Sequence, residues 1–340
     1  MARHRRKEKI EKEPPKQITF NKPIVSSYSK PLASKEVVER LFELHKELSS
    51  LESLEDTSEL KPIIKDLTNA KLIESSNVGV QSLVLCCVTD VLRLFAPNCP
   101  FNSTQLTKIF NLVCRNLKLV HKSSNSFQDQ QVEYLNILST SNSVVLICET
   151  ENSTELIDTF FQVGFSFDAS NSDDDARFLE PIVNCFNSIV ASANSLSSKT
   201  LNLIFYSPLF DTVSAFLINE NTAKFSRSLI QLFSDKLNTK QSHEKDDDND
   251  DEYDSEKDTK AKAKSAKDLR KFHDLLVKLW INAPNCMNAI IGLLNEELIS
   301  NEEDLRILAT ETISKMLTHN GFINRNHEVY LSWLKKILDN

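Results

Sequence analysis

Residues 104–122 read TQLTKIFNLVCRNLKLVHK, and the spacing of their apolar side chains decides the fold. Leu106, Ile109, Phe110, Val113, Leu117 and Val120 recur three and four residues apart. That period places side chains on one face of an α-helix. Lys108, Arg115, Lys118 and Lys122 fall on another face. The stretch predicts an amphipathic helix whose stripe must be covered by neighbours.

The same period recurs on both sides. Upstream, Val37, Leu41, Leu44, Leu48 and Leu51 predict a helix with Ser34 as its N-cap. A shorter helix is expected over Glu59–Leu72, with Pro62 tolerated in its first turn. Gly79–Phe95 is apolar on most faces, so it should be central, and Ala96-Pro97 stops it. Downstream, helices are expected near Gln128–Ser139, Ser153–Val163, Asp174–Ala193, Lys199–Phe205 and Asp211–Leu237. Lys267–Ile281, Asn285–Glu297, Glu302–Leu317 and His327–Leu338 complete the series. No run of alternating strands bounded by glycine turns interrupts it. The fold class expected is therefore all-α, a HEAT-type helical repeat solenoid over residues 31–340. Its unit is a helix pair of roughly forty residues.

Composition points the same way. Only 4 of the 340 residues are glycine, too few for the φ > 0 corners of β-rich or nucleotide-binding folds. Apolar residues make up 40% of the chain, enough for a sizeable core. Its 7 cysteines are odd in number, lack a CxxC and mostly sit in apolar runs. They read as reduced core thiols in an intracellular protein. No secretory signal and no long apolar span is apparent.

Two segments depart from the helical pattern. Residues 1–30 read as a disordered basic tail, whose cluster at residues 3–9 has the look of a nuclear import signal. Residues 239–266, with Asp246–Glu252 at their centre, read as an acidic disordered insertion. Ser172 and Ser255 precede acidic residues as acidophilic kinase sites do. The formal charge of −8 argues against broad non-specific nucleic-acid binding.

Catalytic motifs are missing. There is no GxGxxG, GxxxxGK or GxSxG. His327-Glu328 opens an HExxH, but Leu331 stands where the second histidine is needed. Asp90 reads as a helix-surface carboxylate, and Cys86 and Cys87 as structural thiols. The chain is expected to be no enzyme and to use no cofactor or metal.

Residues 77–101 read NVGVQSLVLCCVTDVLRLFAPNCPF. This stretch resembles the signature of the precocious-dissociation-of-sisters family of cohesin regulators, in which CC-x-x-D-I-L-R-L-[FY] runs into A-P-D-A-P-[YF]. Cys86, Cys87, Asp90, Leu92, Arg93, Leu94, Phe95, Ala96, Pro97, Pro100 and Phe101 match it. Asn98 replaces the usual Asp, and Cys99 the usual Ala. Phe20–Ile24, Arg40–Leu48, Leu279-Trp280 and Leu305–Thr312 resemble further segments in the same order. Family members are far longer, so this chain is expected to be an amino-terminal part.

The resemblance implies a nuclear, chromatin-bound scaffold. It would bind the kleisin subunit of cohesin, a Wapl-type release factor and a cohesin acetyltransferase, without sequence-specific nucleic acid or membrane contact. It implies a partner-docking surface at Ala96, Pro97, Asn98, Cys99, Pro100 and Phe101, with Asp90 and Arg93 beside it. Phe101 is expected there as an aromatic wall. A HEAT adaptor in nuclear transport or trafficking is the competing expectation. Vertebrate relatives are described as binding an inositol polyphosphate, which makes Lys108, Arg115, Lys118 and Lys122 a candidate anion site. A merely solvated face is the favoured reading of those four.

Overall fold

The computed structural model describes residues 18–25, 32–53, 57–120, 125–167, 173–206, 228, 230–231, 255–282, 287–318, 331–333 and 335–336. Among these residues every regular element is a helix. The chain divides into two compact units, residues 1–192 and 193–340.

In the first unit, α1 (Ser34–Ser49), α4 (Val78–Phe95), α6 (Gln128–Thr140) and α8 (Asp173–Ser192) pack side by side in chain order. These helices begin at Ser34, Val78, Gln128 and Asp173, a recurrence of about 45 residues that suits a HEAT-type unit. A second layer holds α2 (Lys61–Leu67), α3 (Ala70–Ile73), α5 (Ser103–Leu117) and α7 (Ser153–Gly164). α3 packs on α5, and α5 on α7. The 3-10 segment Ser143–Glu149 lies between layers, touching α5, α6, α7 and α8.

The expected helix over Glu59–Leu72 is instead three pieces: a 3-10 turn at Thr57–Leu60, then α2, then α3. Asn69 causes the second break. Its side chain accepts the Lys71 N–H at 3.0 Å and so starts a new helix. At α1 the cap position falls on Ala33, with no side-chain bond, so Ser34 is the first helical residue and not the cap. α5 starts with a capping box between Asn102 and Gln105.

α4 is central, as its composition requires. It is 18 residues long with mean hydropathy 1.7, long and apolar enough to cross a membrane, which corrects the expectation of no such span. Here 83% of it is buried within the fold, the environment of a core helix. Part of the expected disordered tail is also packed. Ile24 is 1% exposed. Around it Lys22 pairs with Glu43, Arg40 donates to the Pro23 carbonyl, and Thr19 bonds Glu47. An apolar anchor flanked by three polar ties holds residues 18–25 on α1; residues 1–17 lie outside the described residues.

The second unit contains α9 (Ser198–Tyr206), α10 (Ser255–Asn282), α11 (Met287–Leu298) and α12 (Glu303–Leu317). α10, α11 and α12 pack on one another. Trp280 lies 5.5 Å from Trp333, centroid to centroid. Lys271 Nζ donates to the Phe205 carbonyl at 2.6 Å and ties α10 to α9. α10 begins at Ser255, so residues 255–266 are helical rather than part of a disordered insertion. Their Lys, Ala and Glu content favours helix. Residues 239–254, most of the expected helix at 211–237, and Ser172 lie outside the described residues.

Candidate functional site

The signature helix α4 presents four of its polar residues to its two neighbours. Cys86 Sγ donates to the Gln130 carbonyl of α6 at 3.3 Å. Cys87 Sγ donates to the Leu41 carbonyl of α1 at 3.5 Å. Asp90 Oδ2 lies 2.8 Å from Nδ1 of His45 on α1. Asp90 Oδ1 accepts from Arg93 Nη2 at 3.3 Å. The same guanidinium donates to the Leu48 and Leu51 carbonyls at 3.0 and 2.8 Å. Arg93 therefore ties α4 to the backbone at the end of α1 and just beyond it.

His45 is the hub. Its second nitrogen, Nε2, lies 3.1 Å from Glu133 Oε2 on α6. Burial alone would lower the His45 pKa, but the hydrogen bonds and charges of Asp90 and Glu133 outweigh it and raise the pKa above its usual value. When protonated, the ring donates from both nitrogens and bridges two carboxylates. Burial pushes the Cys86 and Cys87 thiols well up, and the Cys114 and Cys185 thiols to about 12. In the fold as it stands these cysteines pack as core thiols, in line with their apolar sequence context.

Asp90 is 1% exposed, so it is an internal tie and not a helix-surface carboxylate. Neither Asp90 nor the half-buried Arg93 offers a free group beside the following loop; both are spent on α1. In that loop Ala96, Pro97 and Asn98 are exposed, and Cys99 and Pro100 are half-buried. The Ala96–Pro97 peptide is cis, and the Asn98 N–H donates to the Phe95 carbonyl at 2.8 Å. Phe101 is only 5% exposed. Its ring is core, which corrects its expected role as an aromatic wall. The loop's solvent-facing part is Ala96–Asn98.

On α5, Lys108, Arg115 and Lys118 are all exposed, as the stripe requires. Arg115 donates to the Ile73 carbonyl at the end of α3. Its guanidinium therefore already has a structural acceptor. Lys122 lies outside the described residues.

Sequence reading missed a second polar network. Asn116, fully buried on α5, donates to Gln81 Oε1 and Ser82 Oγ of α4 at 3.3 and 3.2 Å. Its Oδ1 accepts from Gln131 Nε2 and Tyr134 Oη of α6, each at 3.0 Å. The signal was an Asn between Val113, Leu117 and Val120 in the apolar stripe. In the second unit, His273 Nδ1 lies 2.8 Å from Thr312 Oγ1, and Nε2 lies 3.4 Å from Glu297 Oε1.

Repeated helix pairs, buried polar ties between successive repeats and loops left to face solvent define a helical-repeat scaffold of HEAT type. Residues 35–340 match the family model described as "Sister chromatid cohesion protein PDS5 protein", and the chain belongs to that family. It is 28% identical over 345 aligned residues to "Sister chromatid cohesion protein PDS5" of Saccharomyces cerevisiae, covering 95% of this chain and 25% of that protein. The Schizosaccharomyces pombe protein of the same description is 25% identical, covering 95% of this chain and 27% of that one. The chain thus spans about a quarter of the length of these relatives. A solved structure described as "Structure of the Pds5-Scc1 complex and implications for cohesin function" matches with a TM-score of 0.70 and 27% identity. That match covers 96% of this chain and 50% of the other.

Proposed function

We propose that this chain is a non-enzymatic scaffold that binds and regulates cohesin on chromatin in the nucleus, affecting maintenance and release of sister-chromatid cohesion. The observation that carries the reading is the family match over residues 35–340, joined to the fold likeness with a Pds5-Scc1 complex. The partners in this reading are the kleisin subunit and a Wapl-type release factor. Affinity purification of the tagged chain from cells tests it. Cohesin subunits should dominate the recovered proteins. Recovery of transport or vesicle-coat components without cohesin would favour the competing adaptor reading.

The docking surface in this reading is the exposed Ala96–Asn98 turn on its α4 base. Short partner segments lose affinity least when they dock on a pre-ordered surface. Pro97→Glu with Asn98→Arg should weaken capture of a Wapl-type partner at unchanged helical content. Undiminished capture by the folded double variant removes the assignment. Phe101 is left intact in this test, because a charge there would be buried. The basic face of α5 is read as a solvated surface.

A further inference from the structure

The His45 hub has one neighbour that the ion-pair network does not use. Cys86 Sγ, a His45 ring nitrogen and a Glu133 carboxylate oxygen all lie within 4.8 Å of one another, and the nitrogen facing Glu133 is Nε2. They come from α4, α1 and α6. We propose that these three side chains form a zinc-class metal site, with solvent in the fourth position and Asp90 orienting the histidine.

Three features of the geometry support this. The ligand set is imidazole, thiolate and carboxylate, a mixture that suits Zn²⁺. Tetrahedral zinc separates its ligand atoms by roughly 3.3–3.6 Å, given metal–ligand distances near 2.0–2.3 Å. The His45 Nε2–Glu133 Oε2 separation is 3.1 Å, close to that spacing, and the cluster's outer limit of 4.8 Å leaves Cys86 Sγ roughly 1 Å or less to move. Second, Asp90 Oδ2 lies 2.8 Å from Nδ1 and is itself held by Arg93. A carboxylate on the far nitrogen fixes the tautomer that leaves Nε2 free for a metal. Third, Glu133 is 43% exposed at its side chain while His45 is 7% exposed. The site thus has a wet side for ion entry and a water ligand, and a dry side for ligand positioning.

Charge balances across the exchange. With His45 protonated and no metal bound, the His45 and Arg93 cations offset the Asp90 and Glu133 carboxylates, and the Cys86 thiol is neutral. Binding releases one proton from Nε2 and one from Sγ, and the dication takes their place. The cluster is net neutral in both states, so no uncompensated charge is buried in either. Metal coordination supplies the positive charge that a thiolate needs in this apolar setting.

Cobalt(II) is the probe. The reduced, metal-free chain is titrated with Co²⁺ while near-ultraviolet and visible absorption are recorded. A thiolate-to-cobalt charge-transfer band with the strong visible bands of four-coordinate cobalt is expected, bleached by Zn²⁺. Cys86→Ser should abolish the charge-transfer band. Glu133→Gln, which keeps an oxygen at a half-exposed position, should weaken Co²⁺ binding about tenfold or more at unchanged circular dichroism. Replacing Cys99 and Cys148, which are half-exposed and outside the cluster, should leave the band intact. No band, or a band that survives Cys86→Ser or is unmoved by Glu133→Gln, overturns the assignment.

Discussion

Removing the Asp90 carboxylate should loosen the α1–α4 contact by an amount the geometry sets. Asp90 is 1% exposed and touches His45 at 2.8 Å and Arg93 at 3.3 Å. Breaking a buried ion pair by deleting one partner costs about 3–5 kcal/mol, because the other charge is left uncompensated. Two features place this case at the lower end. Arg93 keeps its two carbonyl acceptors, and His45 keeps Glu133. About 3 kcal/mol is expected for Asp90→Ala. Asp90→Asn keeps an oxygen for His45 Nδ1 but loses the charge and the acceptor for Arg93 Nη2, which retains its two carbonyl acceptors, so roughly 1–2 kcal/mol is expected. Amide hydrogen exchange reads the effect locally. In the Ala variant, α4 amides should exchange roughly a hundredfold faster, with α12 amides in the second unit as the internal reference. Tryptophan fluorescence is no substitute, since both tryptophans, Trp280 and Trp333, lie in the second unit. Rates in α4 within about threefold of the parent chain, or Asn as damaging as Ala, would refute the reasoning.

Among the described residues three glycines lie in helices, and they should respond differently to alanine. At Gly164 a Cβ would overlap Phe186, which is fully buried and stacked on Phe161 at 4.1 Å, so a loss of about 1–3 kcal/mol is expected in thermal or denaturant unfolding. At Gly79 the Cβ would meet the ring of Phe127 at 2.5 Å, but that ring is half-exposed and can swing away, so the loss should be smaller. At exposed Gly292 nothing lies within 4 Å, and Ala should stabilise by about 0.5–1 kcal/mol. Ile24→Asp should free residues 18–25 from α1. Limited proteolysis should then cut that segment much earlier than in the parent chain, while α1 stays helical. Equal cutting rates would count against the packing described.

Long amphipathic periods were the legible part of the fold. α5 and α7 follow their sequence stripes because one face of each is buried and the other wet. α4 was legible as central because few of its faces could tolerate water. What escaped were features set by single polar side chains or by propensity without burial. Asn69 splits one expected helix into two through its own side chain. Asn142 takes the left-handed conformation, φ 55°, and leads into a 3-10 segment whose apolar run SVVLICE carries no helical period. The first turns of α10 have almost no apolar residue, so a method built on apolar periodicity passes over them. Ile24 escaped because one buried side chain in an extended segment has no period at all.

The candidate site illustrates the same limit from the opposite side. Residues 86–101 were recognisable as a signature, yet recognition carried no information about direction. Cys86, Cys87, Asp90 and Arg93 each end on a carbonyl or side chain of α1 or α6. Every one of those contacts joins residues more than forty positions apart, which a local reading does not pair. His45 is an unremarked histidine in a leucine-rich helix, and Glu133 one carboxylate among many. Their importance arises only when stacking brings α1 and α6 to opposite sides of α4. A buried carboxylate in such a stack needs two partners or it destabilises the fold. The constraint on Asp90 therefore comes from the neighbouring repeat, through His45 on α1. Ala96–Asn98 is the part of the signature whose side chains face solvent, which is why the proposed docking surface is placed there.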